Sequence, residues 1–443
     1  MYVKTLTHHN SARIILTRGA LETLDKSEVN ALVAHEIGHI VNRDIVLMTA
    51  AQIIPLIGFY SYRYFWNKTH HKNKLFAFLN IIPANIFYFL YIVTQWPILW
   101  FSRVREYYAD VFAGENIPNP SNLAQALIKV AYGIAARSPS AQKRYINLEA
   151  AGAMGIIDKS KAMGIAITSF PDRQFNQEIN IDLLSKSMRW DLWSPWAKLY
   201  ELSSTHPMVS KRIKNLMMLG KLYNKETFMK FNDIKPESYW NNFIIELIII
   251  YMPRMIFMFL IGLGAYFHHQ TVIITNSQEI FFALCVSLLG LSMLIKHKFH
   301  YPTAFFPAMS VSSLLKKVNI SRVCPSPATL QGKIVGKGIS GFLVTNDHVF
   351  QDDSGILVLD HKRPYRFWES IFSILKKHNF NNKDVIIEGW YHRDDVPYFT
   401  VKSVTCEGET YFNFKCLISK FFSFLVLFLG FAWMLQIVLF LFY

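Results

Sequence analysis

The sequence predicts a mainly α-helical, membrane-integrated fold with a small β-barrel towards the C-terminus. Three observations predict it. Five apolar stretches approach or exceed 20 residues, the length that crosses about 30 Å of hydrocarbon. Charged residues make up 17% of the 443 and hydrophobic ones 52%, where a soluble domain carries about 25% charged residues. Short β-type runs, punctuated by Gly332, Gly336, Gly338 and Gly341, crowd into one segment near the end.

In chain order, residues 13–18 read as a short strand ended by Gly19. Asp25 followed by Glu28 is a capping-box start for a helix from about Lys26. Val29, Leu32, Val33, Ile40 and Val41 keep helical spacing along it. Two spans follow, Ile45–Trp66 and Leu75–Phe101, with Pro55, Pro83 and Pro97 as kinks inside them. Residues 102–240 are polar enough for a globular, mostly helical segment. Asn241–Phe267 and Ile273–Ile295 form a second apolar pair. Glu246 and Arg254 lie in the first of these, and the reading preferred here pairs a snorkelling Arg254 with Glu246 or Glu279. Runs at Gln331–Val335, Gly341–Thr345, Gly355–Asp360, Asp384–Trp390 and Tyr398–Val404 predict the barrel. Leu417–Tyr443 is the fifth span. The expected units are 1–44, 45–101, 102–240, 241–296, 297–416 and 417–443.

The net charge of +15 fits basic flanks of membrane helices, and no nucleic-acid reader motif appears. The basic segments 102–240 and 297–416 are expected on the cytoplasmic side, although the outer link then carries Lys68, Lys72 and Lys74. Cys285, Cys324, Cys406 and Cys416 form no CxxC pair, so a cysteine zinc site is not expected.

Chemistry concentrates in three places. His35-Glu36-Ile37-Gly38-His39 is an HExxH motif on the first helix. Histidines at i and i+4 share one face and can reach one zinc ion, and Glu36 beside them can take a proton from metal-bound water. A third ligand is needed, and Glu106 in Arg105-Glu106-Tyr107-Tyr108-Ala109-Asp110 is the best candidate. Asp110 follows at i+4 and can fix a ligand histidine's tautomer. Without the upstream motif, both would read as a solvated face beside Arg103 and Arg105. His206 precedes Pro207 in Ser204-Thr205-His206-Pro207, where an isolated histidine is a loop residue. Asp347, His348 and Asp352 read as turn residues rather than a second metal site.

The order HEIGH, two spans, REYYAD and STHP resembles the HtpX-type membrane metallopeptidases, relatives of the CAAX prenyl endopeptidases, over about residues 10–220. The resemblance implies a zincin-like gluzincin. One Zn2+ per chain would be held by His35, His39 and Glu106, and Glu36 would be the catalytic base. Asp110 would support a ligand, His206 would stabilise the oxyanion, and Arg212 would be a basic position near substrate. It implies polypeptide substrates, membrane-associated or misfolded, and a bacterial inner-membrane setting with the active site facing the cytoplasm. The chain departs from the pattern before the first helix. No pair of membrane helices precedes it, and Thr5-Leu6-Thr7 stands where an Asn-Ala-Phe-like edge segment is usual. This is expected to weaken substrate docking by strand addition. The alternative expectation is a truncated, catalytically impaired zinc-binding scaffold. The β-rich segment 328–404 resembles OB-like barrels appended to some relatives.

Overall fold

A computed structural model describes every residue except 1, 6–11, 17, 71–73, 136–180, 232–237, 271–275, 304, 338–347, 360–379, 381, 395 and 443. Strands β1 (Tyr2–Thr5) and β2 (Ala12–Ile15) pair antiparallel. Helix α1 (Arg18–Thr23) follows, so Gly19 lies inside a helix and does not end the strand. Of the Thr5-Leu6-Thr7 segment only Thr5, the end of β1, is among the described residues.

Helix α2 (Lys26–Val41) begins on the predicted capping box. The Asp25 carboxylate accepts from the Glu28 amide at 2.9 Å, and the Glu28 carboxylate accepts from the Asp25 amide at 3.0 Å. Two orphan donors of the first turn are thereby satisfied. Helix α3 (Asp44–Lys68) runs through Pro55, and α4 (Lys74–Asn116) through Pro83 and Pro97. At 43 residues, α4 is about 65 Å long, roughly twice the hydrocarbon thickness. It passes residue 101 without a break, so the span and the REYYAD segment are one rod.

Helices α5 (Ser121–Ala135), α6 (Ile181–Trp193), α7 (Pro195–Leu202) and α8 (Val209–Leu222) complete the polar segment. Helices α9 (Trp240–Gln270), α10 (Asn276–His300) and, at the end, α12 (Lys415–Phe442) are long and apolar, as are α3 and α4. Large side chains such as Ile54, Phe89 and Phe440 point outwards on them, as lipid-facing residues do. Helices α10 and α12 cross closely: a Cβ on Gly290 would stand 2.3 Å from the Leu427 amide nitrogen. Helix α3 packs along α4, and α9 along α10.

The expected Glu246–Arg254 pairing is not what forms. The Glu246 carboxylate accepts from the Trp196 indole at 2.5 Å, and Arg254 lies over the Tyr251 ring. Trp196, Met208, Trp190 and Ile249 share a buried cluster, which ties α9 to the polar segment.

The barrel is built from β3 (Ser326–Lys337), β4 (His348–Asp352), β5 (Gly355–Leu359), β6 (Asp384–His392) and β7 (Tyr398–Cys406). Its order is β5-β4-β3-β6-β7, closed by parallel β5–β7 pairing, with β8 (Glu409–Phe412) added to β7. The expected strand Gly341–Thr345 and the residues Gly338, Gly341 and Asp347 lie outside the described residues. His348 opens a strand rather than a turn, whereas Asp352 does hold a turn: its Oδ1 accepts from the amides of Ser354 and Gly355. The barrel is not a loose appendage. Helix α11 (Val311–Leu315) is buried between it and the helical segment, and one apolar core runs through all three. Trp190 donates to the Ile320 carbonyl at 2.7 Å, and Arg393 stacks over the Trp190 ring.

Candidate metal centre

Helix α2 lies directly on α4 because Gly38 has no side chain. A Cβ there would meet the Ala109 Cα at 3.1 Å and the Phe112 ring at 3.2 Å. This approach sets the HExxH face of α2 against Glu106 and Asp110 of α4. The Nε2 atoms of His35 and His39 are 3.2 Å apart. Glu106 places Oε2 at 3.7 Å from the first and Oε1 at 3.7 Å from the second. The three ligand atoms thus form one group able to hold a metal ion. A tetrahedral zinc with bonds of about 2.0–2.1 Å has ligand–ligand edges of about 3.3–3.4 Å, so the donor set and its spacing fit.

The second ring nitrogen of each histidine faces a carboxylate. His35 Nδ1 stands 3.0 Å from Asp110 Oδ1. His39 Nδ1 stands 2.5 Å from Asp44 Oδ2. A carboxylate beside Nδ1 favours a proton there and leaves each Nε2 facing the common centre. Burial opposes a charge on His35, but the hydrogen bonds with Asp110 and Glu106 outweigh it and raise its pKa to about 9.

Arg212, on α8, is wholly buried. Its Nε and Nη2 donate to the two Asp110 oxygens at 2.8 and 2.7 Å, and Nη1 lies 3.2 Å from Glu106 Oε2. Burial disfavours the guanidinium charge, but the two carboxylates more than offset this and its pKa lies above the usual value. Arg212 therefore faces the ligand shell, a different setting from the substrate-side position expected of it. His206 sits in the loop before α8, with Nδ1 3.2 Å from Glu106 Oε1. That loop is pinned to α4: Arg103 Nη1 donates to the carbonyls of Glu201 and Ser204 at 2.7 and 2.8 Å. Glu36, one residue along α2 from His35, is also buried.

All seven residues singled out in the sequence, His35, Glu36, His39, Glu106, Asp110, His206 and Arg212, lie on the elements that meet here. Sequence reasoning missed Asp44, Arg103 and Arg105. Arg105 donates to the Asp44 carbonyl at 3.0 Å. The solvated-face alternative for Glu106 and Asp110 fails because both are buried, as is Arg103. Asp44 carried a weak signal: five residues after His39 is off the helical face, and only a turn returns it.

Comparison with known proteins bears on this segment. Residues 6–219 match the profile of Peptidase family M48. A Protease HtpX homolog of Methanothermobacter thermautotrophicus is 40% identical over 118 residues, 27% of this chain and 43% of that protein. A Protease HtpX homolog of Aeropyrum pernix is 29% identical over 217 residues, 47% of this chain and 62% of that one. Protease HtpX of Pseudoalteromonas atlantica is 33% identical over 127 residues, 27% and 42% of the two. The chain spans about half the length of the curated relatives it matches. These relatives include archaeal proteins, so the similarity does not single out a bacterial setting. No solved structure matches.

Proposed function

We propose that this membrane protein, whose residues 6–219 are an HtpX-like segment of peptidase family M48, is a zinc-dependent metalloendopeptidase. The observation that carries the reading is the convergence of His35, His39 and Glu106, with a carboxylate behind each histidine. One Zn2+ held by these residues would polarise the peptide carbonyl and lower the pKa of a bound water to about 7. Glu36 takes the proton of the attacking water and passes one to the leaving amine nitrogen. His206 has Nδ1 turned towards Glu106, so Nε2 is the atom that would donate to the developing oxyanion. Arg212 holds Asp110 and Glu106 in place and keeps their two negative charges compensated.

The substrates are polypeptide segments that leave the membrane or lie unfolded beside it, since α3 and α4 bring the centre close to the bilayer. The basic charge of the polar segments supports a cytoplasmic active site. The test is cleavage of casein by the detergent-purified, zinc-loaded chain. Cleavage is expected, and a chelator should abolish it. Glu36→Ala should keep stoichiometric zinc but lose turnover by about 10²–10⁴-fold. Equal turnover by Glu36→Ala and wild type would sink the mechanism.

A further inference from the structure

Helix α2 ends at Val41 and α3 begins at Asp44, with only Asn42 and Arg43 between them. Arg43 takes a left-handed backbone, φ 55° and ψ 34°, which a non-glycine residue adopts at a cost. The turn folds Asp44 back over the end of α2. Its carboxylate, 3% exposed, reaches His39 Nδ1 at 2.5 Å. Arg105, the α4 residue before Glu106, holds the Asp44 backbone and stands behind its carboxylate: Nη1 donates to the Asp44 carbonyl at 3.0 Å and lies 3.9 Å from Oδ2. On the other side, Arg212 fixes Asp110, which holds His35. The two ligand histidines thus have parallel supports, each a carboxylate with an arginine behind it.

We propose that Asp44 is a positioning residue that sets the tautomer and ring orientation of His39. Asp44 is the first residue of the first membrane helix, and Arg105 lies on the second. The membrane hairpin is therefore part of the metal centre as well as its anchor. The inference rests on the peptidase reading above. A carboxylate at the start of a helix also complements the helix dipole, but that role needs neither burial nor contact with His39.

The experiment uses the full chain in nanodiscs. Zinc affinity is read by competition with a chromophoric chelator, and ligand geometry by the absorption of the Co2+-substituted protein. Asp44→Ala should lower zinc affinity by about 10–100-fold and change the Co2+ spectrum. Asp44→Asn keeps an oxygen that can accept from Nδ1, and should recover affinity to within several-fold of wild type. Arg105→Gln leaves the carboxylate but loosens it, and should lose less than Asp44→Ala. Circular dichroism checks folding, and the Asn and Gln variants carry the test if Asp44→Ala does not fold. Wild-type affinity with an unchanged Co2+ spectrum in folded Asp44→Ala overturns the inference. So does an Asp44→Asn variant that binds no better than Asp44→Ala. A wild type that takes up no zinc overturns the peptidase reading and this inference together.

Discussion

The junction of α2 with α4 and the C-terminal barrel are both buried, but they bury opposite chemistries. At the junction His35, Glu36, Asp44, Glu106, Asp110, His206 and Arg212 are all withdrawn from water. In the barrel the buried positions are mostly apolar, among them Leu330, Ile334, Val349, Phe350, Ile387, Phe399 and Val404, with His392, Arg393 and Asp394 buried at the end of β6. Apolar burial stabilises by about 25 cal/mol per Å² and needs no particular partner. Buried charge costs several kcal/mol per ion and persists only when each group meets its counterpart. The apolar core of the barrel can therefore be understood from stability alone. The junction assembles seven costly groups around one point, which is the mark of a site kept for chemistry.

The contrast predicts different failures on the two sides. His39→Ala should have the largest effect. It should lose stoichiometric zinc, measured by metal analysis, and reduce turnover beyond the roughly 100-fold that an outer partner controls. Arg212→Ala comes next: it leaves Asp110 and Glu106 buried without their cation, and should destabilise by about 3–5 kcal/mol, seen as a lower thermal midpoint with or without zinc. Ile387→Val in the barrel removes one buried methylene and should cost about 0.5–1.5 kcal/mol, with zinc affinity unchanged. If it weakened zinc binding, the shared core would be transmitting strain and the comparison would break. Arg43→Gly should be the mildest, within about 1 kcal/mol of wild type, because glycine accepts the left-handed turn without strain but frees the unfolded chain.

Much of the metal centre was legible because its rules are local. HExxH puts two histidines on one helical face, REYYAD repeats that spacing for Glu106 and Asp110, and the capping box located the start of α2. The five spans were readable because bilayer thickness fixes their length. The edges of the barrel were harder. Strand β4 is only five residues and β8 four, and β8 carries little of the alternation that marks a buried face. Glu246 misled for a related reason. A charge in an apolar run predicts that a partner exists but not which one, and the partners were Ser321 and the indole of Trp196 on another helix.

By itself the sequence determined the chemical types and their local geometry: two histidines on one helical face, a glutamate beside them, a carboxylate pair, and helices long enough to cross a bilayer. Those follow from periodicity, composition and capping, which act within a few turns. Only the tertiary structure decided how the types meet. The bare backbone at Gly38 lets α2 settle on α4, the left-handed Arg43 returns Asp44 to His39, and Arg212 reaches both carboxylates from a helix about a hundred residues away. Such contacts depend on which helix faces cross and how closely. That is fixed by the packing of the whole chain, and no local spacing encodes it.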